Sequence, residues 1–234
     1  MSASSNGSIA GFWAEPIMGA GGVYPLPDGY MRKMQALTKK YNGLFIADEV
    51  QTGFGRIGKN FWGFKMHGVE KPDIVVTAKA MANGYPMGAV VTSRKIMSSW
   101  SHLFFNTYGA GPLQCRLGME VLNILKEEKL PENAENIGNY FLKEFKRIQQ
   151  QSNKIGDVRG SGVMIAIEFV EDKESNKPNN KIAASLMEDF KKERILIAKS
   201  GEGNILRALS PLCITMEDAK KVVNVLESSI KKYD

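Results

Sequence analysis

Cysteine is nearly absent: Cys115 and Cys213 are the only two in 234 residues. Two thiols cannot build a disulfide framework or a cysteine-based zinc site, so they read as reduced core thiols and no metal is expected. Histidine is as scarce, and the lone His67 and His102 take no catalytic role. Long apolar runs are missing too. The longest, at 74–77 and 162–167, have strand length, far short of the roughly 18 residues of a membrane span. Residues 1–8 hold neither the basic start and apolar stretch of a secretory signal nor the Arg-rich face of a transit peptide. The chain thus reads as soluble and unaddressed. There are no internal repeats.

What is present is ordinary globular material, with 43% hydrophobic and 24% charged residues, which excludes disordered and collagen-like classes. At roughly 150 residues per domain the length suggests one and a half domains. The net charge of +6 sits mainly in the front half, where residues 1–120 carry 12 Lys/Arg against 7 Asp/Glu. No basic run or aromatic-interleaved stripe accompanies it, so no nucleic acid is expected. A phosphorylated small molecule suits scattered positive charges better.

Residues 11–15 read as a short buried strand ending in the Glu15 carboxylate. Met31, Met34, Leu37 and Tyr41 repeat at helical spacing over 30–41, and Asn42-Gly43 stops that helix. The apolar runs 44–47, 74–77 and 89–92 read as buried strands of a mostly parallel sheet, which argues for an α/β fold. Beyond them, helices are expected at 112–129 and 131–150, the second burying Ile137, Phe141, Phe145 and Ile148. A strand follows at 163–170, then a polar, disordered-looking loop at 171–180. Ile182, Leu186 and Phe190 mark a further helix, and strands follow at 195–198 and 205–209. Thr215 with Asp218 forms a capping box for a last helix burying Val222, Leu226 and Ile230. The boundary between an α/β region, 1–129, and a small α+β region, 130–234, is placed near Lys129.

Two early strands end in polar groups, Asp48-Glu49-Val50-Gln51 and Thr77-Ala78-Lys79. Ligands of open α/β sheets bind beyond the carboxyl ends of strands, so Asp48, Gln51 and Lys79 are expected to face one crevice. Residues 53–59 imitate both a GxGxxG fingerprint and a P-loop. Asn60 stands where a P-loop needs Ser or Thr, and the aromatic, glycine-broken stretch 61–64 replaces the required helix. Neither nucleotide motif is therefore assigned, and Arg56 receives no catalytic role.

The run Leu44-Phe-Ile-Ala-Asp-Glu-Val-Gln-Thr-Gly-Phe-Gly-Arg-Ile-Gly58, followed by Phe61-Trp-Gly-Phe, Pro72-Asp-Ile-Val, Ala78-Lys79 and Asn83-Gly-Tyr-Pro, resembles the signature of class III pyridoxal-phosphate aminotransferases. Ala14-Glu-Pro-Ile with Gly19, Asn106-Thr-Tyr-Gly with Pro112, and Asp157-Val-Arg-Gly with Gly162 fit the flanking blocks, so the resemblance covers almost the whole chain in order. It implies the C-terminal part of a fold-type I large domain plus a small domain, pyridoxal 5'-phosphate as cofactor, and transamination of the alanine–glyoxylate type between amino-acid and oxo-acid substrates. It also implies a homodimer and a mitochondrial setting.

Carried over residue by residue, the resemblance makes Lys79 the lysine that forms the Schiff base and then moves a proton. Asp48 holds the ring nitrogen protonated, Val50 packs on the ring, Gln51 meets the ring hydroxyl, and Thr107 reaches the phosphate across the dimer. Arg207 clamps the substrate carboxylate, and Glu15 lies near the substrate pocket. Ala80 and Ala82 depart from the glycines usual after the lysine, and Gly111 from an Asn. The family also implies roughly another half-chain ahead of residue 1, bearing a glycine- and serine-rich phosphate cup. Alternatives are a non-catalytic fragment or degenerate paralogue, or a class III lyase acting on a phosphorylated amine, against which Arg207 argues.

Overall fold

The computed structural model describes residues 7–234; the targeting reading of residues 1–6 lies outside them. In chain order the elements are β1 (Gly11–Ala14), β2 (Ile17–Met18), β3 (Tyr24–Pro25), α1 (Tyr30–Lys40), β4 (Leu44–Asp48), β5 (Ile74–Thr77), β6 (Ala89–Thr92) and α2 (Arg94–Met97). They continue with α3 (Pro112–Glu127), α4 (Leu130–Gln151), β7 (Ile155–Ser161), β8 (Met164–Phe169), α5 (Asn180–Lys192), β9 (Ala198–Ser200), β10 (Ile205–Leu209) and α6 (Met216–Ile230). Short 3₁₀ turns stand at Gly63–His67 and Lys79–Ala82. The described residues form two compact units. Unit 1 holds 7–16, 26–54 and 62–129, and unit 2 holds 17–25, 55–61 and 130–234.

Unit 1 is built on a four-stranded sheet ordered β1-β4-β5-β6. β1, β4 and β5 run parallel, but β6 returns antiparallel, pairing Thr77 with Ala89 and Ile74 with Thr92. The sheet is therefore mixed. The connection 78–88 is too short for the crossover of a dozen or more residues that a parallel return requires. One face buries Phe45, Ala47 and Val75 against Met31, Phe64 and Val69. The strand at β1 lies at the sheet edge rather than buried, and Trp13 stays 60% exposed. On α1 the expected stripe is shortened: Met31 is buried, Leu37 is exposed, and Thr38 takes a buried place by bonding the Met34 carbonyl at 2.7 Å.

Unit 2 centres on an antiparallel sheet ordered β7-β8-β10-β9. One face packs on α4, α5 and α6, burying Ile137, Phe141, Phe145, Ile148, Leu186, Phe190 and Leu226. Phe141 and Phe145 stack at 5.2 Å, one helical turn apart. The other face buries Met164, Ala166 and Ile205 against Ile17, Val23 and Ile57. Backbones approach closely at Gly138 and Gly162. A Cβ on Gly162 would overlap the backbone of Arg56, Ile57 and Gly58, and one on Gly138 would overlap Gly162 itself.

The α6 capping box is present, Thr215 Oγ1 accepting from the Asp218 N–H at 3.1 Å. On α6 Val223 is buried, while Val222 only packs at the core margin. The strand expected at 195–198 begins later. The Ile195 N–H donates back to the Phe190 carbonyl at 2.9 Å and Arg194 has φ 62, so the α5 terminus consumes those residues. The loop 171–180 is organised rather than disordered: Asp172 accepts from the Ser175 N–H at 2.7 Å, and Val170 bridges Pro178. Both cysteines are exposed, not core thiols.

Candidate active site

In unit 1 the register Asp48↔Val76 sets the ends of β4 and β5 side by side. Asp48 and Lys79 thus both stand at the carboxyl ends of neighbouring parallel strands. The half-buried Asp48 carboxylate accepts the Trp13 indole N–H at 3.0 Å on one oxygen and the Val50 N–H at 3.1 Å on the other. A carboxylate offers about four acceptor positions, so capacity remains on both oxygens.

Lys79 opens the 3₁₀ turn after β5 with φ 47, a left-handed conformation uncommon for a residue with a side chain. Its amine is exposed and has no hydrogen-bond or ion-pair partner among the described residues. Ala80 and Ala82, which stand where glycines are usual, do not carry positive φ, so alanine is accommodated there without backbone strain. The strained positions are Lys79 and Asn83, the latter at φ 48.

A cavity of about 720 Å³ lies beside these strand ends, walled by Val50, Val76, Ala78, Val90, Phe104 and Asn106 among others. Thr107 lies in the exposed loop next to Asn106. Gln51 and Glu15, each just past a strand end, meet through the Gln51 amide donating to Glu15 Oε2 at 3.4 Å. Residue patterning did not link those two.

Beneath this rim sits a group that the sequence reading passed over. Glu49 is 1% exposed. Oε2 accepts from Thr52 Oγ1 at 2.7 Å and the Gly63 N–H at 2.8 Å, and Oε1 accepts from the Phe64 N–H at 2.7 Å. Burial pushes its carboxyl above the usual range, against the opposing pull of those donors. Glu49 ties the first N–H groups of the 63–67 turn to the segment bearing Val50 and Gln51. A carboxylate three residues before a Thr and ahead of an aromatic-glycine turn was the available signal. His67 is structural, its Nε2 lying 2.9 Å from the Pro16 carbonyl.

In unit 2 Arg207 lies on β10, half-buried, paired across β8 with Ala166. Its Nη1 donates to the Gly19 carbonyl at 3.3 Å, its Nε is buried without a partner, and no carboxylate pairs with it among the described residues. Arg56, by contrast, is engaged. Its Nη1 donates to the Ser210 carbonyl at 2.6 Å, and burial lowers its pKa. The stretch 55–58 is a tight turn with φ 75 at Gly55 and 103 at Gly58, and no nucleotide-binding helix follows it. Among the described residues no group of three His, Cys, Asp or Glu could hold a metal.

The donor set fits an aldehyde cofactor at its reactive end. A free amine and a carboxylate with spare acceptor capacity occur together at the strand ends, next to a cavity with an apolar wall at Val50.

A family model described as aminotransferase class-III matches residues 1–230. Alanine–glyoxylate aminotransferase 2 homolog 2, mitochondrial, of Arabidopsis thaliana is 42% identical over 97% of this chain and 48% of its own length. The human alanine–glyoxylate aminotransferase 2, mitochondrial, is 41% identical over 100% of this chain and 46% of its own. Among solved structures, a phospholyase from Arthrobacter in complex with phosphoethanolamine superposes with a TM-score of 0.91 at 34% identity, over 98% of this chain and 55% of that one. A transaminase from the marine bacterium Virgibacillus gives 0.88 at 33% identity, over 96% and 53%. The chain therefore spans about half the length of the relatives it matches.

Proposed function

This chain belongs to the class-III aminotransferase family, and from that premise we propose that it serves pyridoxal-phosphate-dependent transamination between an amino acid and a 2-oxo acid, of the alanine–glyoxylate type. In this reading unit 1 is the C-terminal part of a fold-type I cofactor domain and unit 2 the small domain. The observation that carries it is that Asp48 and Lys79, whose amine has no partner among the described residues, stand at the ends of adjacent parallel strands.

Pyridoxal phosphate, when bound, supplies an aldehyde for amines and a ring that withdraws electrons from a neighbouring carbon. Lys79 is the nucleophile toward that aldehyde and afterwards moves a proton at the substrate α-carbon. Asp48 holds a proton at the ring nitrogen, because an adjacent carboxylate favours the cationic form. Val50 is assigned to the ring face, Gln51 to the ring hydroxyl, and Thr107 to the phosphate of the partner subunit in a homodimer. Arg207 takes the substrate α-carboxylate through two parallel N–H bonds. Glu15, joined to Gln51, borders the substrate. The relatives' names carry the word mitochondrial, and the same compartment is proposed here.

The test is direct. Purified chain treated with pyridoxal phosphate and then borohydride should carry the cofactor mass on the peptide containing Lys79, and Lys79→Ala should not. Absence of that adduct in the wild-type chain would instead favour a non-catalytic fragment. A second reading, elimination from a phosphorylated amine, is favoured by the likeness to the phospholyase structure. Turnover of alanine with an oxo acid, rather than of phosphoethanolamine, is the outcome expected from Arg207.

A further inference from the structure

Among the described residues the Arg207 guanidinium donates to the Gly19 carbonyl, and that carbonyl sits in the hairpin of β2 and β3. The contact is a weak one. At 3.3 Å the bond is long, and the same carbonyl also accepts from the Gly22 and Val23 N–H groups, each at 3.3 Å. A carboxylate would be a stronger acceptor for a guanidinium, so Gly19 acts as a placeholder, and the hairpin's placement decides where Arg207 points.

The hairpin is itself held by another arginine. Arg159 on β7 is the other cross-strand neighbour of Ala166, so Arg159 and Arg207 flank one small residue on the same sheet face. Arg159 Nε donates to the Gly22 carbonyl at 3.0 Å, and its guanidinium lies 3.8 Å over the Tyr24 ring. Nη1 pairs with Asp157 at 2.7 Å and Glu168 at 2.6 Å, with the side chain only 10% exposed. Two carboxylates thus neutralise Arg159, whereas Arg207 has none among the described residues. The first is braced in place and the second is left with charge to offer.

The hairpin is also under strain. Val23, fully buried, has φ 55, which a β-branched residue adopts only when its surroundings impose it. Gly22 admits the approach: a Cβ there would lie 2.7 Å from Ile205 Cδ1, 2.8 Å from Tyr24 Cε2 and 3.3 Å from Arg159 Nη2.

We propose that Arg159 is a positioning residue for Arg207: by clamping the 17–25 hairpin onto the sheet it fixes the Gly19 carbonyl and so the direction in which Arg207 meets a carboxylate. This rests on the reading of Arg207 given above.

The Arg207 Nε–H resonance of the arginine-labelled full chain reports on this without turnover; Arg207→Lys assigns it. Pyruvate should shift it saturably in wild type. Arg159→Gln should displace the resonance in the ligand-free protein and weaken pyruvate about tenfold or more, as loss of an aligned charged bond requires. Arg159→Lys should not rescue, since an ammonium cannot serve the carbonyl and both carboxylates in one plane. Gly22→Ala, which lifts the hairpin and leaves both charges intact, should reproduce both effects, and it covers the case in which Arg159→Gln unfolds. Arg147→Gln, which breaks the pairs with Glu144 and Glu227, should lower stability yet move neither readout. An unchanged resonance and affinity in folded Arg159→Gln or Gly22→Ala overturns the proposal. If wild type ignores pyruvate, the carboxylate role of Arg207 fails, and the ligand-free resonance alone decides whether Arg159 directs it.

Discussion

At the residue scale the most heavily committed group of unit 1 is Glu49, with three donors converging on one buried carboxyl. Its raised pKa has a definite consequence. The folded chain holds that proton more tightly than the unfolded chain does. Stability therefore falls as pH rises from the ordinary glutamate range through the raised folded value. Glu49→Gln should flatten this slope. It should also lower stability at neutral pH by about 1–3 kcal/mol, because an amide NH₂ would face N–H donors it cannot accept. Urea unfolding followed between about pH 5 and pH 8 measures both effects, and an unchanged slope would mean that Glu49 is not the titrating group. Asp189 behaves oppositely. Its ammonium partners Lys232 and Lys192, at 2.7 and 2.9 Å, hold its carboxyl below the usual range, so what it contributes is lost as pH falls through that lowered value. Asp48 and Lys79 were legible as strand-end polar groups, but Glu49 was not, because its role depends on N–H groups fourteen and fifteen residues further on.

At the element scale, period and caps carried most of the information. The α4 stripe is buried at every position that helical spacing marks, and the α6 start follows its capping box. Thr215→Ala should cost about 1 kcal/mol, since it strands the Asp218 N–H. A melting temperature equal to wild type would count against the cap. Strand β7 escaped pattern reading because a bulge between Ile155 and Asp157 breaks its two-residue alternation, and two glycines weaken the strand signal. The direction of β6 escaped it as well. Apolar content says that a strand exists, while the length of the connection decides whether it returns parallel or antiparallel.

At the scale of the whole molecule, unit 1 leaves large apolar side chains uncovered: Leu103 is 95% exposed, Tyr108 85% and Phe105 83%. Contiguous exposure of this kind marks association surfaces, which supports the proposed homodimer. Phe105→Asp should shift the chain toward monomer in sedimentation velocity, and an unchanged distribution would remove that segment from the interface. Among the described residues no helix is long and apolar enough to cross a membrane. Sequence alone determined which chemistry-bearing residues the chain carries and most of its helices and strands, because motif order and hydrophobic period are local properties. Only the tertiary structure decided that Glu15 meets Gln51, that Glu49 secures the turn at 63–67, and that residues 17–25 and 55–61 join the C-terminal unit. It alone set Arg159 and Arg207 on either side of Ala166, since strand pairing brings together residues that no local pattern connects.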